Sequence, residues 1–144
     1  MKIRELFDKT RPIDRHIVSV INYAADTEEL LRQEIAEYEV TDKLARHYER
    51  FMNNLSDGFQ GGGNHEVGVW VSGFYGSGKS SLTKYLGFAL DPRRKVGTKP
   101  FLDSLQAQFP TQALRQQLGI LAKNHAATVI MIDLAAVASA DSKN

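Results

Sequence analysis

The sequence predicts an α/β fold with a mostly parallel sheet, incomplete in this chain and preceded by an N-terminal helical segment. Three observations predict it. Two apolar runs, residues 66–72 and 128–134, have the β-branched composition of strands, and the second is apolar enough to be covered on both faces. A glycine-rich turn follows the first run, and a helical periodicity follows the turn. Before the first run, apolar residues recur at the spacing of helices.

Composition limits the class of protein. The chain has 144 residues, 42% of them hydrophobic and 24% charged, which suits one globular domain. Its formal net charge is +1, so no strong field attracts nucleic acid or a membrane surface. It has no cysteine, which excludes disulfides and thiolate metal sites. No apolar run approaches the roughly 20 residues that span a bilayer, and we therefore expect a cytoplasmic protein without membrane contact.

The first half, residues 1–64, is predicted to be a helical segment that ends in a glycine-rich linker. Residues 26–29 (DTEE) have the character of a helix start, with residues suited to capping followed by acidic ones. Residues 37–41 (EYEVT) predict a short extended piece, and Thr41 is a good N-cap for a second helix. Residues 56–64 (SDGFQGGGN) predict a loop. One face of the second helix carries the apolar side chains of Leu44, Tyr48, Phe51, Met52 and Leu55.

The second half, residues 65–144, is predicted to contain the strands. A helix begins near Gly78 and ends at Asp91 and Pro92. Two short helices follow at about residues 100–109 and 112–124, separated by Pro110 and with Thr111 as a cap. Two good strands make an incomplete sheet with open edges. We therefore expect residues 65–144 to be the first part of a larger domain, truncated in this chain.

The turn after the first apolar run carries the most specific motif. Residues 73–80, GFYGSGKS, match G-x-x-x-x-G-K-[ST] at every fixed position, and a chance match in this chain has a probability of about half a percent. This phosphate loop, residues 73–80, predicts a P-loop NTPase. Its glycines allow a nest of backbone N–H groups, its lysine reaches β- and γ-phosphates, and its last serine binds Mg²⁺. The predicted phosphate-binding residues are Gly73, Gly76, Ser77, Gly78, Lys79, Ser80 and Ser81, with Ser80 as the magnesium ligand.

Other residues near the motif leave alternatives open. Phe74 and Tyr75 are large for a loop, and we expect them to pack on a neighbouring element or another subunit, in the core or as a lid, in preference to contacting substrate. Asp133 follows four apolar residues and is the one candidate for a second magnesium ligand and catalytic acid. The next residue is Leu134 and not a second acid, which favours a structural hydrogen bond for Asp133. The basic run 93–95 could contact DNA phosphates, but no base-reading residues accompany it and a solvated loop is favoured.

Two stretches together resemble a known family. Residues 12–52 and 68–90 are similar to the start of the large P-loop ATPase of bacteriophage-exclusion (BREX) defence systems, the BrxC/PglY type. The phosphate loop is shared by very many ATPases. The discriminating features are the EYEVT segment, the helix after it and the aromatic pair inside GFYGSGKS. The resemblance covers essentially the whole chain, as the N-terminal piece of a longer protein.

The resemblance implies an AAA-like ATPase that binds ATP and Mg²⁺ and acts in antiviral defence. Its implied partners are a methyltransferase, a phosphatase-like protein and further copies of itself in a homo-oligomer. Residues 39–41 would help enclose adenine. The acidic strand motif, the sensor and the arginine finger are expected beyond residue 144, so we expect this chain alone not to hydrolyse ATP. The alternatives are a nucleotide-gated scaffold without turnover and a P-loop kinase.

Overall fold

A computed structural model describes residues 27–60, 68–125 and 127–132. This part of the chain forms five helices and one short hairpin. In chain order the elements are α1 (Glu28–Glu37), α2 (Asp42–Gln60), α3 (Lys79–Leu90), β1 (Lys95–Val96), β2 (Lys99–Pro100), α4 (Phe101–Gln108) and α5 (Gln112–Asn124).

The predicted fold class, an AAA-like P-loop NTPase with a mostly parallel sheet, is wrong. The described residues are mostly helical, and their sheet has two antiparallel strands, with Lys95 opposite Pro100 and Val96 opposite Lys99. Residues 68–72 and 128–132, which we expected to be strands, form no ladder with any described residue. Their β-branched composition favours an extended backbone, but a sheet also requires hydrogen-bonded partners, and none of the described residues supplies them.

The helix starts were predicted correctly because each depends on local chemistry. Thr27 Oγ1 accepts a hydrogen bond from the backbone of Leu30 at 3.3 Å, and Thr41 Oγ1 accepts one from Leu44 at 3.4 Å. Thr111 caps α5 in the same way. Each side chain satisfies one of the backbone donors that a helix leaves free in its first turn. The predicted caps of α1, α2 and α5 are therefore confirmed.

Helix α2 is longer than predicted. Residues 56–60, which we assigned to a loop, continue the helix to Gln60. The ring of Phe59 stacks on His125 with centroids 4.2 Å apart, and Gln60 Nε2 donates to Ser56 Oγ. Contact with the end of α5 thus compensates for the poor helix propensity of Gly58. The rest of the predicted linker, and with it the boundary at residue 64, lies outside the described residues, as do residues 1–26.

The core lies around α3, which packs against α4 and α5. Phe101, at the start of α4, is fully buried, and its ring lies 5.8 Å from that of Tyr85 and 5.6 Å from that of Phe88. Helix α2 packs on α5 and α1 packs on α4. The predicted apolar face of α2 is confirmed, because Tyr48 and Met52 are buried and its other members lie against the core.

A buried ion pair connects α1 to α3. Lys84 has no exposed surface, and its Nζ atom donates to Glu34 Oε2 at 3.0 Å. The hydroxyl of Tyr85 donates to the same carboxylate oxygen at 3.4 Å. The ammonium also lies 5.9 Å from the ring centroids of Tyr85 and Phe88. Because a buried charge is costly unless it is paired, this contact fixes α1 against the helix that follows the phosphate loop.

The basic run after α3 is partly engaged within the protein. Arg93 donates through Nε and Nη2 to both carboxylate oxygens of Asp91, and these hydrogen bonds lower the pKa of Asp91 to about 2. The guanidinium of Arg94 lies 4.4 Å from the ring centroid of Phe88. Two of the three basic side chains at 93–95 therefore have partners in the fold.

No helix within residues 27–60, 68–125 and 127–132 is both long enough and apolar enough to cross a bilayer.

Candidate functional site

The phosphate loop has the backbone shape that its sequence predicts. Gly76 and Gly78 have φ values of 75° and 81°, in the left-handed region that side chains disfavour. The backbone of Ser77 donates to the carbonyl of Phe74 at 3.2 Å, which closes a turn between them. Ser77 also lies beside Gly73, because a Cβ atom on Gly73 would come within 3.0 Å of Ser77 Oγ. The structure thus brings together the loop residues that the motif identified.

Lys79 lies across the loop. Its Nζ atom donates to the carbonyls of Gly73 at 2.9 Å and Phe74 at 2.7 Å. The side chain therefore folds back from the first residue of α3 over the turn that precedes it. Both acceptors of the ammonium are neutral, and a phosphate anion can replace them because it adds the attraction between opposite charges.

The first turn of α3 offers unpaired donors. Gly78 is the N-cap and provides no side-chain cap, and the first backbone hydrogen bond of the helix is from Leu82 to Gly78. The backbone N–H groups of Lys79, Ser80 and Ser81 have no acceptor in the described part of the chain. The Ser80 side chain is exposed beside them. These donors and the positive end of the helix dipole form an anion-binding arrangement.

The aromatic residues of the loop are not packed as expected. Phe74 and Tyr75 are 91% and 95% exposed, so the prediction that they pack on a neighbouring element is wrong for the described residues. Trp70, in the extended stretch before the loop, is 91% exposed. The two rings therefore lie on the outside of the turn that the Ser77–Phe74 hydrogen bond closes.

Residues 127–132 belong to neither a helix nor a strand, and they lie against α3. The first backbone N–H of this segment, on Ala127, donates to the carbonyl of Leu90 at 3.2 Å, at the C-terminal end of the helix. Further along, Val129 and Met131 reach Gly87, where a Cβ atom would lie 3.0 Å from Val129 Cγ1 and 2.6 Å from Met131 Cε. The segment therefore begins at the end of α3 and runs back along it toward the phosphate loop.

Asp133, the candidate for a second magnesium ligand, lies outside the described residues. Ile132, the residue before it, is the last one that the structure describes. Among the residues that the structure covers, no group of three or more His, Asp or Glu could hold a metal ion. The magnesium role of Asp133 therefore stays a prediction.

The segment implied as an adenine wall has structural roles. Val40 is buried in the core, and Thr41 caps α2 through its hydroxyl. Tyr38 donates or accepts a hydrogen bond with Tyr48, at 2.9 Å between hydroxyls, and burial raises the pKa of both phenols. Glu39 is exposed. These contacts explain why residues 38–41 hold their extended path between α1 and α2.

Two residues near the site were missed by sequence reasoning. Gly87 lies inside α3, where glycine is unfavourable, and this is the signal that a close neighbour occupies its face of the helix. Lys84 interrupts the apolar residues of α3, but its partner Glu34 is 50 positions earlier, and no local pattern indicates that pairing.

Replacing Gly87 by valine should displace residues 127–132 from α3. The added methyl groups would overlap Val129 and Met131, and overpacking of this kind costs about 1–3 kcal/mol. We expect faster amide hydrogen exchange at Ala127 and a lower melting temperature. Gly87→Ala is the matched control, since its gain in helix propensity of about 1 kcal/mol offsets the milder contact.

A second substitution that restores stability would identify Met131 as the side chain that the added valine displaces. Met131→Ala, added to Gly87→Val, removes the nearest atom and should restore part of the lost stability. A Gly87→Val protein with unchanged exchange at Ala127 would contradict the contact.

No protein-family model matches the sequence, and no solved structure matches it.

Proposed function

We propose that this chain binds the phosphates of ATP together with Mg²⁺ through the phosphate loop and the first turn of α3. One observation carries the proposal. Left-handed glycines at 76 and 78 lead directly into a helix whose first donors are unpaired, with the ammonium of Lys79 held over the same turn. Free N–H groups, a helix dipole and a positive side chain converging on one turn form an arrangement suited to a polyphosphate.

Each predicted residue has a part in this proposal. In this proposal the backbone from Gly73 to Gly78 surrounds the phosphates. The backbone N–H groups of Ser80 and Ser81, in the first turn of α3, donate hydrogen bonds to them. Lys79 exchanges its two carbonyl acceptors for phosphate oxygens. Ser80, exposed at the same end of α3, would hold magnesium through its hydroxyl. The magnesium ion would neutralise phosphate charge and fix the geometry of the bound nucleotide.

The biological role that we propose is an ATP-binding subunit of a cytoplasmic BREX phage-defence system. What supports it is the sequence resemblance of residues 12–52 and 68–90 to the BrxC/PglY type of ATPase. A methyltransferase, a phosphatase-like protein and further copies of the same chain are the partners that this proposal includes. The proposal extends to ATP hydrolysis in the assembled system.

A nucleotide-gated scaffold without turnover is the second candidate. The observation that favours it is that Leu134, and not a second acid, follows Asp133. The two candidates share the binding site and differ only in phosphate release. Steady release of phosphate by the longest native form, above a matched Lys79→Ala protein, would exclude the scaffold.

Titration with fluorescent ATP and GTP, with and without Mg²⁺, tests the binding proposal. We expect saturable binding that magnesium strengthens, and we expect Ser80→Ala to remove most of that magnesium effect because it removes the hydroxyl ligand. Ser104→Ala, on α4 and outside the loop, is the matched control. Binding that does not respond to magnesium in the wild type would count against Ser80 as a ligand.

Asp133→Ala belongs in the same titration because its role is open. If it abolishes the magnesium effect while the affinity for metal-free ATP is kept, Asp133 is a second ligand. If it behaves as the wild type, Asp133 has no part in magnesium binding. Absence of any nucleotide binding in the folded wild-type chain would refute the proposed function.

A further inference from the structure

We propose that the base of the bound nucleotide stacks on the aromatic pair of the phosphate loop, Phe74 and Tyr75, so that the site favours purine over pyrimidine nucleotides. The base contact depends on the proposed function, since the loop must first hold the phosphates. It adds the side chains that meet the base and the class of nucleotide that they select. Three observations carry it: the exposure of the rings, their place in the loop, and the contacts of the residues first expected to enclose adenine.

Both rings of the aromatic pair lie in solvent. Phe74 is 91% and Tyr75 95% exposed, although large aromatic side chains are ordinarily used for packing. The two residues occupy variable positions of the motif, where the phosphate-binding backbone requires no particular side chain. Two aromatic residues in succession offer flat π faces to a planar ligand. Nucleobases are planar, and stacking on an aromatic side chain is a contact that every base can make.

The aromatic pair belongs to the same turn that carries the proposed phosphate site. The carbonyl of Phe74 accepts hydrogen bonds from Lys79 Nζ at 2.7 Å and from the backbone of Ser77 at 3.2 Å. In a nucleotide only the ribose separates the α-phosphate from the base. A nucleotide with its phosphates in the loop therefore carries its base to the edge of this turn, on whose outside the rings lie. The ligand of the loop itself supplies a planar partner for them.

The residues first expected to enclose adenine are engaged elsewhere. Val40 is buried in the core, and the hydroxyl of Thr41 caps α2. Tyr38, just before them, shares a hydrogen bond with Tyr48 and packs edge-on against Tyr85. The aromatic pair, by contrast, combines full exposure with a position on the phosphate loop. It is therefore the better candidate for contact with the base.

Stacking determines which nucleotides the pair selects. A purine presents a larger ring system than a pyrimidine, so ATP and GTP gain more from the contact than CTP and UTP. Stacking responds to ring area and not to the donors and acceptors on the edge of the base. We therefore expect the aromatic pair to bind adenine and guanine about equally well.

Calorimetric titration of the intact chain with the Mg²⁺ complexes of ATP, GTP, CTP, UTP and inorganic tripolyphosphate is the test. Tripolyphosphate carries the phosphates without a base, so the ratio of the ATP affinity to the tripolyphosphate affinity reports the base contact. We expect a ratio of about ten for ATP and GTP, and a smaller ratio for CTP and UTP. Replacing both rings, Phe74→Ala with Tyr75→Ala, should bring all four ratios close to one.

Further variants separate stacking from apolar bulk. Phe74→Leu with Tyr75→Leu keeps the bulk without the rings and should lower the ratio as the alanine pair does. Phe74→Tyr with Tyr75→Phe keeps both rings and should retain the wild-type ratio. Ile120→Ala is the matched control, because it removes an exposed apolar side chain from α5, outside the loop.

The outcomes distinguish the base contact from the proposed function. A ratio near one in the wild type, or an alanine pair that keeps the wild-type ratio, would overturn the base contact and leave phosphate binding in place. A folded chain that binds neither ATP nor tripolyphosphate would refute both. An alanine pair that changes the sedimentation coefficient and not the ratio would overturn the base contact and assign the rings to a protein interface.

Discussion

Replacing Lys79 by alanine is expected to weaken the binding of Mg·ATP about ten- to hundred-fold. The substitution removes the one side-chain cation that the structure holds over the phosphate loop, where it donates to the carbonyls of Gly73 and Phe74. A hydrogen bond to a charged group contributes about 1.5–3 kcal/mol, which corresponds to that range of affinity. Fluorescence titration or calorimetry with ATP measures the change.

Two controls separate loss of the phosphate contact from loss of the fold. Lys99→Ala removes an exposed lysine from the hairpin and should leave affinity for ATP unchanged. The melting temperature of Lys79→Ala should stay close to that of the wild type, since its hydrogen bonds are exposed. Equal affinities of wild type and Lys79→Ala would rule out the proposed site.

Phe101→Ala is expected to cost about 3–5 kcal/mol of unfolding free energy. The ring is fully buried at the start of α4, between Tyr85 and Phe88 of α3, and its removal leaves a cavity in the centre of the core. The surrounding helices cannot close that space without moving α3. Chemical denaturation followed by circular dichroism measures the loss.

The matched control for Phe101→Ala is Phe74→Ala. The same side chain is removed, but Phe74 is exposed at the phosphate loop, and surface substitutions change stability by about 0.5 kcal/mol or less. Similar losses for the two variants would mean that the aromatic contacts of Phe101 do not organise the core. A large loss of unfolding free energy for Phe101→Ala alone would show that packing of α4 stabilises α3, the helix that follows the phosphate loop.

The helices were predictable because their signals are local. Threonine caps at 27, 41 and 111 bind donors three residues later, and the apolar face of α2 follows from spacing alone. The local backbone of residues 73–80 depends on nearby residues too. Glycine allows the left-handed conformation seen at Gly76 and Gly78, and Lys79 reaches carbonyls only five and six residues away. Phosphate binding by this loop stays a prediction.

The errors have a common physical cause, which is that sheets and helix ends depend on distant partners. The apolar runs before the loop and after α5 indicate extended chain, but they cannot show whether another strand lies beside them. Helix α2 extends through Gly58 because Phe59 meets His125. The pairing of Lys84 with Glu34 joins residues 50 positions apart, and a local sequence pattern does not extend over that distance.

The exposed apolar side chains have a consequence for how this sequence can vary. Five of the seven large hydrophobic side chains exposed in the described residues are Trp70, Phe74, Tyr75, Ile130 and Ile132. All five lie in residues 68–78, which precede α3, or in residues 127–132, which lie against it, and none of them belongs to the core. A side chain left in water contributes none of the roughly 1.5–3 kcal/mol that its burial would provide. Folding therefore places almost no demand on these five positions, and their identity is left to be set by the molecules that this surface meets.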